Sequence, residues 1–317
     1  MQSLQEMLMT NFNYSVVECM NGYFMEPQNF SVNDGDGIRT VIFFAGCPLN
    51  CKWCANPEST LDFKRVSFNK ETCISCGKCA QLCPVGVMVD LNSPEQRKKC
   101  ISCGICVESC PTNSRKKLVR MYSDREILEI IKSQEIFYRY SNGGVTFSGG
   151  EATLQQHMLR ILVDSLYDKA VHMAIETSGY FYFDEVKDIL ARLDLIFVDI
   201  KHMDEKKHEL YTGKSNKKIL ENIKKMSELD VPIVVRIPVI EGVNSDDINI
   251  KETAVFVKEN IKNPKIELLP YHNFAEEKYE CLGLDKMSHN FKRPSNELLS
   301  HLKMIIKNEG AETVSYI

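Results

Sequence analysis

Cys47-Pro48-Leu49-Asn50-Cys51-Lys52-Trp53-Cys54 sets three cysteines within eight residues, in the spacing C-x3-C-x2-C. A four-iron cubane has four corners, so three thiolates leave one iron open, much as a catalytic zinc keeps one position free. The spacing is tight enough for a single loop to supply all three. The apolar run Val41 to Ala45 leads into this loop and reads as a buried strand. The loop then falls at the strand's carboxyl end, where α/β folds place their chemistry. A zinc knuckle or a chance cluster would use the same residues, but neither accounts for the sequence that follows.

The loop resembles the signature of radical S-adenosylmethionine enzymes. The longer run, from Asp34-Gly35-Asp36-Gly37-Ile38-Arg39-Thr40 through Gly46-Cys47 to Trp53-Cys54-Ala55-Asn56-Pro57-Glu58, is similar to the activating enzymes of glycyl radical enzymes. Members usually read Asp-Gly-Pro-Gly where this chain has Asp36 in the proline's place. That departure falls in a turn and leaves the three ligands untouched. The resemblance runs from Gly22 to about Lys286.

Downstream of the loop the composition shifts. Cys73-x2-Cys76-x2-Cys79-x3-Cys83-Pro84 is followed by Cys100-x2-Cys103-x2-Cys106-x3-Cys110-Pro111, the bacterial ferredoxin pattern written twice. In two-cluster ferredoxins the fourth cysteine of each run ligates the other cluster. One cluster is therefore expected on Cys73, Cys76, Cys79 and Cys110, and the other on Cys100, Cys103, Cys106 and Cys83. A pair of structural zinc sites is the plainer alternative. So small a unit has little core of its own, and metal would supply most of its stability. The expected domains are an N-terminal extension over 1–21, a barrel over 22–65 and 119–317, and a two-cluster insert over 66–118.

The rest of the chain alternates. Apolar strands are expected at Val41 to Ala45, Gly144 to Phe147, His172 to Glu176, Leu195 to Ile200, Pro232 to Ile237 and Lys265 to Leu269. Helices are expected at Ser123 to Tyr140, His157 to Leu166, Asp184 to Leu193, Asn216 to Leu229, Asp246 to Ile261 and Asn296 to Lys307. Ser123 and Glu126 have the spacing of a capping box, and Ile127, Ile130, Ile131 and Phe137 recur as one apolar face. Gly22 to Phe30 has weak strand character. Strands alternating with helices imply an α/β fold with a parallel sheet. Six units resemble the partial (β/α)6 barrel of radical S-adenosylmethionine enzymes, here with a bacterial-ferredoxin-like domain inserted in the first unit.

Thirteen cysteines with eleven in metal-ligand spacings suit a reducing compartment and metal binding, not disulfides. A net charge of −4 argues against a nucleic-acid or anionic-membrane surface. No apolar run approaches the roughly 18 residues of a membrane span, and the first basic residue is Arg39, so no secretory leader is expected. The expected location is cytoplasmic.

Polar motifs close several strands. Ser148-Gly149-Gly150-Glu151 follows the second, where two glycines let backbone approach a ligand and Glu151 offers an acceptor for an ammonium group. Glu176-Thr177-Ser178-Gly179 ends the third and Asp199-Ile200-Lys201-His202 the fourth, with Lys201 suited to a carboxylate. A salt bridge across the barrel mouth would explain the same charges. Arg236 ends the fifth and could meet a carboxylate, a ribose or a structural acid. His272 ends the sixth. Trp53, between two ligands, could shield a cluster or pack on adenine. His157, His172, His208, His289 and His301 read as structural.

The resemblance implies specific roles for these positions. The run matching Gly149, Gly150 and Glu151 contacts the methionine amino group of S-adenosylmethionine in the family, and the residue matching His272 lies near its adenosine half. Related activases arrange the residues matching Asp199 and Thr177 around a monovalent cation, although some carry aspartate where this chain has Glu176. The family reaction reduces the cluster on Cys47, Cys51 and Cys54 with an external electron donor such as flavodoxin or ferredoxin, by way of the insert clusters. S-adenosylmethionine is cleaved to a 5′-deoxyadenosyl radical, which takes hydrogen from a glycine of a partner glycyl radical enzyme. Three 4Fe–4S clusters are expected. The doubled insert resembles activases of lyases, dehydratases and decarboxylases. Ser141 to Gly144, Arg236 to Gly242 and Leu268 to Asn273 look most like a glycerol or propanediol dehydratase activase, with choline trimethylamine-lyase and hydroxyphenylacetate decarboxylase activases open. A radical S-adenosylmethionine enzyme acting on a small molecule or another peptide is the alternative within enzymes. A ferredoxin-like electron carrier is the alternative outside them, and it would leave the strand-end motifs without a purpose.

Overall fold

The computed structural model describes residues 19–60, 64–284 and 291–316. The expectations for residues 1–18 and for His289 lie outside these described residues. The strands are β1 (Asn21–Met25), β2 (Gln28–Ser31), β3 (Arg39–Phe44), β4 (Val66–Phe68), β5 (Arg115–Lys117), β6 (Val119–Ser123), β7 (Gly144–Gly149), β8 (His172–Thr177), β9 (Leu195–Asp199), β10 (Ile233–Val239), β11 (Lys265–Pro270) and β12 (Glu312–Val314). The main sheet runs β12-β11-β10-β9-β8-β7-β3-β1-β6, with β2 paired to β3.

Each of the six expected strands is present, and from β3 to β12 every pairing in this order is parallel. These strands are buried on both faces and read as continuous apolar runs. β12 adds a seventh parallel strand that three half-exposed residues did not announce. The weak strand expected over 22–30 is two strands, and β1 pairs antiparallel with the unexpected β6, from Asn21↔Ser123 to Met25↔Val119. In β6, Arg120 and Met121 are exposed, so no buried run marked it.

The main core lies between sheet and helices and includes Phe24, Phe44, Phe147, Leu159, Leu162 and Ile223. Ser123 caps its helix as expected: its side chain accepts from the Glu126 amide at 3.2 Å, and Glu126 accepts from the Ser123 amide at 2.7 Å. The single helix expected to Tyr140 is instead two, Asp124–Lys132 and Glu135–Ser141. Ile127 and Ile131 face the core, but the break at Ser133 turns Phe137 outward, where it packs edge-on against Phe30 at 4.8 Å. Two further helices, Glu205–Thr212 and Glu276–Leu282, were not foreseen.

Residues 66–117 stand apart from the main sheet. β4 and β5 pair antiparallel, and the local core is Val66, Phe68, Val87 and Leu91 with four cysteines packed around it. Four apolar side chains form a very small core.

β3 and β7 lie unusually close at both ends. A Cβ on Gly143 would stand 1.9 Å from the Ile38 carbonyl oxygen, one on Gly149 2.4 Å from the Phe44 oxygen, and one on Gly150 2.2 Å from the Gly46 oxygen. Gly143→Ala is therefore expected to lower stability by about 3 kcal/mol through backbone overpacking. Gly242→Ala meets open space and strains only a positive φ of 79°, costing about 1 kcal/mol. Denaturant unfolding of the anaerobically purified variants should separate the two; equal losses would refute the packing argument.

Candidate active site

A cavity of about 1100 Å³ opens at the carboxyl ends of the parallel strands. Its wall takes Cys47, Cys51, Trp53 and Cys54 from the loop after β3, and Ser148, Gly149 and Gly150 from the end of β7. Glu176, Thr177 and Ser178 come from β8, Asp199 and Lys201 from β9, Arg236 from β10, and His272 from just beyond β11. All the residues read from the sequence as binding S-adenosylmethionine, save Glu151, meet here.

The cysteine loop is held by backbone bonds. Gly46 donates to the Ser59 carbonyl at 2.8 Å, Asn50 to Thr212 at 2.8 Å and Lys52 to Tyr211 at 3.0 Å. Gly150 donates to the Phe44 carbonyl at 2.8 Å and Glu151 to Gly46 at 2.7 Å, which fixes the glycine pair beside the loop. Burial pushes the Cys51 thiol up to about 12, against the pull of Lys201. Burial likewise raises Cys47 and Cys54. Three thiols sharing one cavity suit a cationic iron–sulfur centre, which would hold them as thiolates.

Lys201 lies 2.6 Å from Asp199 and is 8% exposed. Burial opposes its charge, but Asp199 and the Cys51 thiol outweigh burial and raise its pKa above the ordinary lysine value. A buried, permanently cationic group bordering the cavity suits an anionic ligand. Trp53 is buried against Ile240, Tyr271, Tyr211 and Phe291, so it braces the loop with its face on protein aromatics. His272 is exposed and stacks on Phe274 at 4.5 Å.

The structure corrects one expectation. Glu151 is fully buried and does not border the cavity. Its carboxylate accepts from Thr177 Oγ1 at 2.9 Å, from the Ser178 amide at 2.9 Å and hydroxyl at 2.5 Å, and from Thr153 Oγ1 at 2.8 Å. It is thus a tie between β7 and β8, not a free acceptor for an ammonium group. Arg236 meets structural acids, namely Glu176 and, at 2.7 Å, Glu267, over the face of Phe197. Of the two residues expected around a monovalent cation, Asp199 pairs with Lys201 and the Thr177 hydroxyl donates to Glu151; Glu176 pairs with Arg236 and accepts from Ser148 at 2.5 Å. Glu267 had no sequence signal, being one acid in an apolar strand.

Two smaller cavities lie in the 66–117 unit. One, of about 330 Å³, is bordered by Cys73, Cys76, Cys79 and Cys110. The other, of about 370 Å³, is bordered by Cys83, Cys100, Cys103 and Cys106, with Cys79 between the two. The two cysteine loops share one backbone path, with Ser75 and Ser102 at φ 54° and 55° and glycines at positive φ next but one. In each, the serine amide donates to the first sulfur at 3.4 Å.

The sequence profile of the radical SAM superfamily matches residues 41–254. A trans-4-hydroxy-L-proline dehydratase activating enzyme of Clostridioides difficile is 40% identical over 93% of this chain and 99% of its own. A (2S)-3-sulfopropanediol dehydratase activating enzyme of Klebsiella oxytoca is 36% identical over 90% of this chain and 92% of its own. A radical SAM methyltransferase structure from Sphaerobacter thermophilus shares the fold, with a TM-score of 0.53 at 13% identity, over 92% of this chain and 76% of that one. The chain belongs to the radical SAM superfamily and, within it, to the activating enzymes of glycyl radical enzymes. It uses radical S-adenosylmethionine chemistry, with an iron–sulfur cluster, to activate a partner enzyme, so neither the carrier nor the small-molecule alternative describes it. Among the described residues no helix is long and apolar enough to cross a membrane.

Glu151→Ala leaves the hydroxyls of Thr177 and Ser178 and the Ser178 amide without their acceptor, and should cost about 3 kcal/mol or more. Glu151→Gln keeps the shape and one oxygen and should cost less. Thermal unfolding of the two variants tests this; an unaffected Glu151→Ala protein would return Glu151 to ligand binding.

Proposed function

We propose that Cys47, Cys51 and Cys54 hold the reactive 4Fe–4S cluster and that the cavity beside them takes S-adenosylmethionine. The observation that carries this reading is the convergence of three cysteines, the Gly149–Gly150 backbone and the Lys201 ammonium on one cavity at the strand ends. Gly149 and Gly150 expose backbone to the methionine end of the ligand. Lys201 meets its carboxylate, with Asp199 holding the ammonium in place. Thr177 and Ser178 are fixed by Glu151 and shape the wall between them. His272 stands at the adenosine end. Held by Cys47, Cys51 and Cys54 with S-adenosylmethionine beside it, a one-electron-reduced cluster would supply the radical chemistry that removes hydrogen from a glycine α-carbon of the partner. Arg236, held by Glu176 and Glu267, forms part of the cavity wall.

The unit over 66–118 is proposed as a ferredoxin-like domain with two further 4Fe–4S clusters, on Cys73, Cys76, Cys79 and Cys110 and on Cys83, Cys100, Cys103 and Cys106. Cavities bordered by these same two sets support that division. The clusters would pass electrons from a flavodoxin or ferredoxin in the cytoplasm. The partner is proposed to be a glycyl radical dehydratase, since two similar activating enzymes serve dehydratases.

Reconstituted protein should hold about twelve irons and about twelve sulfides per chain. Cys51→Ala should keep about eight irons and lose 5′-deoxyadenosine formation. Retained cleavage in that variant would overturn the site. Mixing the reduced enzyme with candidate dehydratases should give the glycyl radical doublet in electron paramagnetic resonance with one of them; a signal only with a lyase or decarboxylase would change the partner class.

A further inference from the structure

The short helix Glu276–Leu282 touches both the insert and the cysteine loop, and it belongs to neither. On the loop side, the Tyr279 hydroxyl donates to the Cys54 carbonyl at 3.2 Å. Lys278 reaches the Ala55 carbonyl at 3.4 Å, Asn56 Oδ1 at 3.2 Å and the buried Glu58 carboxylate at 2.5 Å. One helical turn thus grips the segment 54–58 that carries the third cysteine.

At the helix's end, three successive carbonyls accept side-chain donors, two from the insert and one from Arg65 just before it. Asn92 Nδ2 bonds Glu280 at 2.8 Å, Arg97 Nη2 bonds Cys281 at 2.9 Å, and Arg65 Nη1 bonds Leu282 at 3.1 Å. The last carbonyls of a helix lack intrahelical partners, and cations are favoured there. Asn92 and Arg97 also bond the backbone of β4, at Phe68 and Val66. Gly283 ends the helix at φ 60°, where a Cβ would stand 2.8 Å from Arg97 Nε. The fit between helix end and insert is therefore close on every side that these bonds define.

A seven-residue helix is too short to hold itself in water. Its position is set by what it is bonded to, which is the insert at one end and the cysteine loop at the other.

We infer that this helix is a clamp through which the folded insert positions Cys54, with Tyr279 and Lys278 as positioning residues for the reactive cluster. The insert then has a second function besides carrying electrons. Its folding depends on metal, so loss of its clusters releases the helix end and loosens the loop that holds the reactive centre. An activase with a damaged insert is thereby silenced at the radical site itself. The inference rests on the reading of Cys54 as a cluster ligand.

The test uses the full reconstituted enzyme and hydrogen exchange, which needs no turnover. An insert-side variant, Asn92→Ala with Arg97→Met, removes the bonds from Asn92 and Arg97 to the helix end at Glu280 and Cys281. It should exchange the amides of residues 54–60 about fivefold faster, as expected for loss of a hydrogen-bonded support. A site-side variant, Tyr279→Phe with Lys278→Met, should give the same acceleration while the insert retains its iron. In both, the S-adenosylmethionine concentration that half-converts the reduced cluster's paramagnetic resonance spectrum should rise about fivefold. A helix with only a structural role would leave that spectrum unmoved. Tyr279→Phe alone keeps the ring and removes the hydroxyl, and should show part of the shift. Unchanged exchange over 54–60 in the insert-side variant, with faster exchange in the helix, overturns the clamp. Should the insert-side variant fail to fold, unchanged exchange in the site-side variant overturns it. Absence of iron on Cys47, Cys51 and Cys54 in the parent protein would instead overturn the site reading, and is seen separately by iron analysis.

Discussion

The approach of β7 to β3 is the contact on which the site depends. Where β7 ends, the amides of Gly150 and Glu151 bond the carbonyls of Phe44 and Gly46, three and one residues before Cys47. Side chains at 149 or 150 would collide with those carbonyls. The glycines are therefore demanded by packing first. Their exposure to the cavity follows from that packing, because backbone welded to the cysteine loop necessarily faces what the loop holds. Position and chemistry are set by one close contact.

Below this contact the barrel interior is charged, and the charges are satisfied internally. Arg236 lies between Glu176 and Glu267 and above Phe197, and Tyr316 packs edge-on against Phe197 at 5.1 Å. Burial raises the Glu176 pKa even with Arg236 beside it. A buried ion pair of this kind contributes little net stability but is costly to break. Its effect is to fix where the floor of the cavity lies. Glu151 does the same at the wall, with neutral donors in place of a cation. Lys201 is then left as the cation bordering the cavity whose one carboxylate partner, Asp199, is itself partly exposed there.

Much of this was legible in the sequence, for physical reasons that differ by element. The cysteine runs stood out because their spacing is regular in a way packing alone does not require, and each run borders a cavity in the folded chain. The six strands were legible because strands buried on both faces carry unbroken apolar runs. β6 and β12 were not, being short and half exposed. The break at Ser133 was invisible because the residues on both sides keep helical character. Glu151 could not be read correctly, since Gly-Gly-Glu has the same pattern whether its carboxylate turns toward the ligand or into the wall. Glu276–Leu282 was missed because only Tyr279 and Leu282 are buried in it, too few for a periodicity. Its importance lies in hydrogen bonds to segments some 190 and 220 residues away, which local pattern cannot carry.

Each small cavity over 66–117 is bordered by three cysteines of one run and by at least one of the other. The consequence concerns biosynthesis. A chain emerging from the ribosome presents Cys73, Cys76 and Cys79 well before Cys110, so the first pocket is one thiol short until both runs are out. Iron delivered at that moment would meet an incomplete and exchangeable site. With the two proposed clusters in these cavities, cross-donation would delay metal capture until the whole unit can close around both together, and would make its maturation one event rather than two successive ones.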